Sequence, residues 1–514
     1  MSHADYLSAA RRHVDQVLKN AGDQYRTPPT PLVADFINWE TGRPPQMKPV
    51  YGDRMVVSSD LAHQQNLLRA MVLLSALTGD FTYRDRAQAM YGYHFKNLVL
   101  PTGLLRWGGH RYIDLLTLED NGEKNKVHEL KNDFPYYDLM FDTDAGAAEK
   151  FVKAFWNGHI YSWENFEMGR HSQDNGKSLE DIWERPFREI EPFEPRIGLS
   201  FLNTGNDLMF SAINLYNHTG DEGALKWGAK LFDIYAMCRN PDTKLGVYQF
   251  SQAKKRMETD DFTITTSPYG DRAKRQLGPE LGQHALEANV ILEQQANSIY
   301  GLNPQVVAYY VQSGVKPAAH MLEVVGENLR AYAKYAYIPQ TNKLRPMLAD
   351  GQDLSGFVPK RPGYYGDGSR FVQFDANGRF LLAYVKTALL LDDPELWQTA
   401  RQMAGGLGLG DIGAMDGSGV ALNLSAACAD GAAAMAMLAL HEKLGGAYLA
   451  LAQRIADNII ADYTKEGYFT HMPVAAGYRH SADGFPVDSQ DPLIVLAVQA
   501  AVQGRMDLIP RAIY

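Results

Sequence analysis

Cysteine is nearly absent from this chain, since Cys238 and Cys428 are the two cysteines among 514 residues. Two thiols so far apart in the sequence give neither a disulfide framework nor a cluster of thiolates for a zinc site. Scarce cysteine is typical of proteins that work in a reducing compartment.

Long apolar runs are missing as well. The most apolar segments, 380–391 and 420–440, are interrupted by Lys386 and by Asn423 and Asp430. No run of about 20 apolar residues is left that could cross a bilayer.

The N-terminal residues lack the apolar core of a secretory signal peptide. Leu7, Ala10, Val14 and Leu18 instead fall on one face of an amphipathic helix. We therefore expect a cytoplasmic protein, or a periplasmic one if a leader has been removed.

An excess of positive charge is also lacking. The chain has 60 acidic and 50 basic residues, a formal charge of −10 and 45% hydrophobic residues. This balance argues against a nucleic-acid or anionic-membrane partner, and nothing in the composition implies an obligate protein partner. The apolar content is sufficient for a large core.

No nucleotide-binding motif stands in the context that it requires, and the hydrolase motif is absent. The sequence has no G-x-G-x-x-G or P-loop pattern after a strand and no G-x-S-x-G elbow. The glycines of 405–410 follow a helix, so they lack the strand-turn-helix context of a phosphate-binding loop.

Helical hairpins recur along the chain, each with a short turn rich in glycine or aspartate. The four turns lie at residues 78–80, 218–221, 391–394 and 444–446. A repeated helix pair indicates a solenoid or a closed toroid, and the chain length allows roughly seven pairs. Because no linker interrupts the pattern, we predict one all-α toroidal domain over 1–514, with short β-strands in the rim loops.

An aromatic stretch, 155–159 with Trp163, leads directly into Arg170 and His171. The combination of aromatic rings with an arginine and a histidine suggests a polar site lined by aromatic rings. An ordinary helix end would explain the same residues.

His110, Glu129 and His171 are candidate ligands of a divalent transition metal. Two imidazoles and a carboxylate suit manganese, cobalt or nickel, whereas calcium and magnesium prefer oxygen alone. In an extended run only one of His128 and Glu129 points inward, and we choose Glu129 because its charge offsets that of the metal. Alternatively, the histidines are satisfied polar residues at loop corners.

The sequence resembles polysaccharide lyase family 2, the pectate lyases, over most of its length. The resemblance is carried by His110, Glu129, residues 155–160, Trp163, Arg170 and His171. It implies an (α/α)7 barrel that cleaves polygalacturonate by β-elimination, with a metal, usually manganese, bound by His110, Glu129 and His171. Arg170 is then the catalytic base. The family pattern around the base is Asn-Arg-His-Gly, and this chain departs from it with Gly169 and Ser172.

A polyanionic substrate needs further cations and stacking surfaces. Candidates are Arg272 and Arg275 in a long segment without helical pattern, Trp107 as a sugar-stacking ring, and His159 within the aromatic stretch. With a cytoplasmic location, we expect action on short oligogalacturonides from a chain end, releasing unsaturated disaccharide.

Two other enzyme classes stay open. A toroidal glycoside hydrolase would use a carboxylate pair, and a sugar epimerase would use histidines as acid and base instead of metal ligands.

Overall fold

The structure is a computed structural model. It describes residues 4–38, 40–48, 54–109, 111–122, 128–173, 176–196, 198, 200–253, 290–291, 296, 303–359, 368–471 and 484–511.

Within these residues the chain forms fourteen α-helices. They are α1 (Tyr6–Asn20), α2 (Gln65–Thr78), α3 (Thr82–Asn97), α4 (Tyr137–Thr143), α5 (Ala145–His159), α6 (Leu202–Thr219), α7 (Glu222–Met237), α8 (Asn303–Gln312), α9 (Ala318–Tyr335), α10 (Gly378–Leu391), α11 (Pro394–Gly406), α12 (Gly431–Leu444), α13 (Tyr448–Tyr463) and α14 (Asp491–Val502).

Short strands occupy the connections between helices. They are β1 (Phe36–Asn38), β2 (Ser58–Ser59), β3 (Arg111–Asp114), β4 (Asp120–Gly122), β5 (Ile160–Ser162), β6 (Glu167–Met168), β7 (Pro195–Arg196), β8 (Gln252–Ala253), β9 (Val290–Ile291), β10 (Tyr337–Ile338), β11 (Lys343–Leu344), β12 (Met347–Leu348), β13 (Phe374–Asp375), β14 (Gly410–Asp411), β15 (Ala421–Leu422), β16 (Thr464–Lys465), β17 (Tyr468–Phe469) and β18 (Gly484–Pro486). β2-β3-β4 and β10-β11-β13 form three-stranded sheets, and the other strands pair in twos.

The predicted hairpin turns follow from local backbone chemistry. Helices α2 and α6 end at Gly79 and Gly220, whose φ angles of 75° and 73° are left-handed. Asp221 and Asp393 then accept hydrogen bonds from the first backbone N–H groups of α7 and α11. A left-handed stop followed by an aspartate cap therefore turns the chain back within a few residues.

The helices of the described residues form seven packed pairs. Six pairs are sequential hairpins (α2/α3, α4/α5, α6/α7, α8/α9, α10/α11 and α12/α13), and the seventh joins the first helix, α1, to the last, α14. This all-α pairing with short strands in the loops confirms the predicted fold class.

The chain divides into two compact units. The first comprises Met1–His159, His171–Ile182 and Leu424–Tyr514, and the second comprises Ile160–Arg170 and Trp183–Asn423. Each unit is assembled from separate segments of the sequence. That residues 1–514 act as a single catalytic domain stays a prediction.

Helix α14 lies at the centre of the first unit. Residues Leu493 to Val498 are fully buried, because α14 packs against α1, α2, α12 and α13. A helix that is apolar all round is expected in such a position.

None of the helices in the described part of the chain is both long and apolar enough to cross a membrane.

A buried neutral histidine makes the stability of the first unit depend on pH. His13 on α1 is fully buried, and its Nδ1 accepts a hydrogen bond from the backbone N–H of Phe469 at 3.0 Å. Burial lowers the pKa of His13 from 6.5 to about 4. Below pH 6.5, His13 is therefore protonated in the unfolded chain but stays neutral in the folded chain. The folded state loses stability as the pH falls.

We expect His13→Gln, which keeps an acceptor and cannot titrate, to remove this dependence. The difference in unfolding free energy between wild type and variant should shrink by about 1.4 kcal/mol for each pH unit below 6.5, down to pH 4. Urea unfolding of both proteins at pH 7 and pH 5 measures it. A difference that stays constant would contradict a neutral His13.

Candidate functional site

The predicted site residues divide into those that the structure describes and those that it does not. Glu129, His171 and Arg170 are described, as are Trp107 and His159. His110, Arg272 and Arg275 lie outside the described residues, so their roles stay predictions.

Glu129 and His171 come together in the first unit. Glu129 Oε1 lies 3.3 Å from His171 Nε2, and the Glu129 side chain is fully buried. A carboxylate oxygen and an imidazole nitrogen thus converge in a site of low solvent access, although the two residues are far apart in the sequence.

The loop that ends at Gly109 packs directly on Glu129. Gly108 forms a parallel β-bridge with Glu129, and the Gly109 N–H donates to the Glu129 carbonyl at 3.2 Å. A Cβ atom at Gly108 would lie 1.8 Å from that carbonyl oxygen, and one at Gly109 would lie 2.5 Å from Glu129 Oε2. Gly108, whose φ is 95°, therefore requires glycine, whereas a side chain at Gly109 would displace the Glu129 carboxylate. The residue that follows this loop in the sequence is His110.

Lys131 is a charged residue of the site that sequence reasoning missed. Its Nζ lies 3.2 Å from Glu129 Oε1. In extended chain, residues two apart point to the same side, so the spacing from Glu129 to Lys131 was a signal that could have identified it.

The side chain of His128 points away from Glu129 into the interior. The Trp107 indole N–H donates to His128 Nε2 at 2.7 Å, so His128 carries its proton on Nδ1, which lies 3.0 Å from His159 Nε2. Phe151 and Phe155 pack against the His128 ring. Burial, and next the neighbouring His159, lower the pKa of His128, which favours the neutral ring.

This arrangement corrects the predicted roles of Trp107 and His159. Both side chains are fully buried, at 0% exposure, and both are bonded to His128. They present no surface on which a sugar could stack. Both side chains instead pack against His128, on the side of the segment that faces away from the Glu129 carboxylate.

His171 is held by hydrogen bonds of the two residues after it. The Ser172 N–H donates to the His128 carbonyl at 2.9 Å, and the Gln173 N–H donates to the Gly158 carbonyl at 2.9 Å. A Cβ at Gly158 would lie 3.2 Å from Ser172 Cβ, so the glycine at the end of α5 leaves room for this segment.

Arg170 belongs to the second unit, where it follows the β5–β6 hairpin. Its guanidinium carbon lies 5.7 Å from the centre of the Phe201 ring. The pairing register shifts between Ile160 and Ser162, so Tyr161 is the extra residue of a β-bulge. Bulges of this kind redirect a side chain, often near functional sites.

Tyr161 packs against the glycine that precedes Arg170. A Cβ at Gly169 would lie 2.2 Å from the Tyr161 hydroxyl oxygen, and one at Gly198 would lie 3.1 Å from its Cε2. The asparagine of the family pattern does not fit beside Tyr161, which gives a steric reason for Gly169 in this chain.

The chemistry of Glu129 and His171 fits a divalent transition metal. One oxygen and one nitrogen donor are the ligand types that manganese, cobalt and nickel accept. Among the described residues, no group of three histidine, cysteine, aspartate or glutamate side chains is arranged to hold a metal ion. The predicted third ligand, His110, lies outside those residues.

Comparison with known sequences gives matches that cover most of the chain. A family model described as "Periplasmic pectate lyase" matches residues 30–514. A pectate disaccharide-lyase of Dickeya dadantii (strain 3937) is 35% identical over 402 residues, which are 76% of this chain and 73% of the relative.

Solved structures with some likeness include enzymes of several classes. The α-1,6-mannanase GH76A of Salegentibacter sp. HEL1_6 has a TM-score of 0.42 at 9% identity, covering 97% of this chain and 99% of that one. A cellobiose 2-epimerase from Bacillus thermoamylovorans B4167 has a TM-score of 0.43 at 10% identity, covering 96% and 98%. Likeness at this level does not decide between activities.

We expect Gly169→Ala to destabilise the protein by about 1–3 kcal/mol, because the new methyl group overlaps the Tyr161 ring. In a Tyr161→Ala background the same substitution should cost much less, since the opposing ring is gone. Unfolding in urea measures both effects.

Gly405→Ala is the matched control. A Cβ at Gly405, in α11, would have no neighbour within 4 Å. That substitution should be neutral or slightly stabilising. Equal effects of Gly169→Ala and Gly405→Ala would show that the Tyr161 contact does not constrain Gly169.

Proposed function

The chain belongs to the periplasmic pectate lyase family, and from that premise we propose that it cleaves polygalacturonate by metal-assisted β-elimination, releasing unsaturated disaccharide. The proposed ligands of the metal are His110, Glu129 and His171. The proposed base is Arg170.

Three sequence predictions are confirmed by the comparisons, and one is wrong. The family resemblance, the pectate lyase function and the enzyme class, a polysaccharide lyase, are confirmed. The predicted cytoplasmic location is wrong, because the family is described as periplasmic. Scarce cysteine and the absence of an apolar N-terminal core were therefore poor guides to the compartment.

The disaccharide product no longer depends on the predicted location. We expected short substrates because a cytoplasmic enzyme would meet imported oligogalacturonides, and that support is lost. The proposal depends instead on the relative in Dickeya dadantii, whose name specifies a disaccharide-lyase.

The observation that carries the metal proposal is the convergence of Glu129 Oε1 and His171 Nε2 at 3.3 Å. Both residues are nearly inaccessible to solvent, and the loop leading to His110 packs on Glu129 through Gly108 and Gly109. Manganese is the metal we propose, with cobalt or nickel as acceptable substitutes for the same donors.

Elimination requires removal of the poorly acidic proton on carbon 5 of a galacturonate unit. A divalent ion, when bound, stabilises the negative charge that develops on the adjacent carboxylate. The residues of this chain must hold that carboxylate in place and accept the proton. Lys131, whose ammonium group contacts Glu129, is a further cation available to the anionic substrate.

Arg170 is an unusual base, because an arginine side chain is normally protonated at any physiological pH. The family resemblance assigns it this role. Its guanidinium lies beside the Phe201 ring, and Gly169 fixes the backbone before it against Tyr161. In this place the guanidinium is suited to bind the substrate carboxylate, and only the neutral form of the side chain can accept the proton.

We expect ultraviolet absorbance to rise when the purified protein meets polygalacturonate, because elimination leaves an unsaturated sugar end. Chelator treatment should abolish the rise, and added Mn²⁺ should restore it. Arg170→Ala should lower kcat by about 10²- to 10⁴-fold, the range for loss of a catalytic base, and His171→Ala should also lose metal binding.

Arg505→Ala is a control for the loss of an arginine, since Arg505 is exposed and pairs with Asp507. Its activity should equal that of the wild type. New reducing ends without a rise in ultraviolet absorbance would instead identify a glycoside hydrolase. Altered sugars without cleavage of the chain would identify an epimerase. Activity that survives complete removal of metal would contradict the proposed metal.

A further inference from the structure

His63 lies between two carboxylates of the first unit, that of Asp60, which is buried, and that of Asp133, which is partly buried. Its Nδ1 is 3.0 Å from Asp60 Oδ2, and its Nε2 is 3.5 Å from Asp133 Oδ1. Asp60 also caps the short 3-10 helix Leu61–His63 by accepting the Ala62 N–H. Both ring nitrogens of His63 therefore face an acceptor, which suits the protonated ring because both nitrogens then donate.

Each of these carboxylates also holds one of the two segments that form the candidate metal site. Asp60 Oδ1 accepts the backbone N–H of Gly108 at 2.9 Å. Asp133 Oδ2 accepts the backbone N–H of Lys131 at 2.7 Å. Gly108 lies two residues before His110, and Lys131 lies two residues after Glu129.

We propose that His63 is a positioning residue, which ties the segment before His110 to the segment after Glu129 and so fixes the spacing of the metal ligands. The inference rests on the proposed function, since it gives His63 a role toward the proposed metal. In this role His63 is not itself a metal ligand. It acts through Asp60 and Asp133.

The charges in the bridge support its strength. Burial alone would lower the pKa of His63, but the carboxylates of Asp60, Asp133 and Asp35 outweigh burial and raise it to about 9. The imidazolium is therefore present at neutral pH. The charged hydrogen bond to Asp60 at 3.0 Å and the ion pair with Asp133 at 3.5 Å, both at low solvent exposure, are stronger than the same contacts of a neutral ring, so the bridge links the two segments.

The two segments also meet directly, through the Gly108–Glu129 bridge. That contact fixes where the chains touch, and the His63 bridge fixes the chain on either side of it. Outer residues that orient metal ligands typically change metal affinity by about 10- to 100-fold when they are replaced.

The test is the affinity of metal-free protein for Mn²⁺ in the absence of substrate. Titration calorimetry measures the affinity, and electron paramagnetic resonance measures free Mn²⁺ independently. We expect His63→Gln to weaken binding by about 10- to 100-fold, because glutamine cannot bridge both carboxylates with charged hydrogen bonds. Unfolding in urea establishes that the variant is folded.

His13→Gln is the matched control. His13 is another buried histidine of the first unit, and the contacts described for it are with Tyr468, Phe469 and the backbone of Val487. It should bind Mn²⁺ as the wild type does, even if its stability is lower. An equal loss of affinity in both variants would mean general destabilisation and would overturn the inference.

Asp133→Asn is a second variant, which keeps the side-chain shape and removes the charge facing His63. It should also weaken Mn²⁺ binding, and the double variant should be little worse than either single one, because all three break the same bridge. Additive losses would overturn the inference. This variant also tests the bridge if His63→Gln does not fold.

The wild type distinguishes this inference from the proposed function. If the wild type binds Mn²⁺ and both variants bind it equally well, the positioning role is wrong and the metal proposal stands. If the wild type binds no divalent transition metal, the metal proposal falls and this inference falls with it.

Discussion

The candidate site depends on one close backbone contact, the approach of Gly108 and Gly109 to Glu129. A side chain at either glycine would overlap the carbonyl or the carboxylate of Glu129. Because both residues lack a Cβ, the loop before His110 can form a bridge to the segment that carries Glu129. The neighbouring interactions act on chains that this contact has already brought together.

The alternation of side chains in an extended segment gives His128 and Glu129 opposite environments. His128 lies among Trp107, Phe151 and His159, with both ring nitrogens occupied. Because of that packing, a shift of the segment's register by one residue would destabilise the protein, since it would move Glu129 into the aromatic core. The apolar side of the segment therefore helps to determine where the carboxylate of Glu129 points.

Local signals in the sequence were sufficient for the helical hairpins, whereas the choice of Glu129 over His128 as a metal ligand depended on the family resemblance and stays a prediction. A left-handed Gly79 or a capping Asp393 acts within one turn of the chain. Its effect can therefore be predicted from the local sequence, without knowledge of the rest of the fold. His63 could not be identified in this way, because its partners Asp60 and Asp133 matter only through segments that tertiary structure brings near. The burial of Trp107 could not be predicted from the sequence either, because an aromatic side chain is equally suited to a core and to a sugar-binding surface.

Charge balance accounts for the composition of the site. A carboxylate with no exposed surface, as at Glu129, is costly unless positive charge lies beside it. Lys131 supplies one such charge at 3.2 Å, and a divalent ion at His171 would supply more. His63 meets the same need for Asp60 and Asp133. Although the whole chain is acidic, the carboxylates of Glu129, Asp60 and Asp133 are thus each matched to a nearby cation, and these pairs add to the backbone contact that brings the ligand-bearing segments together.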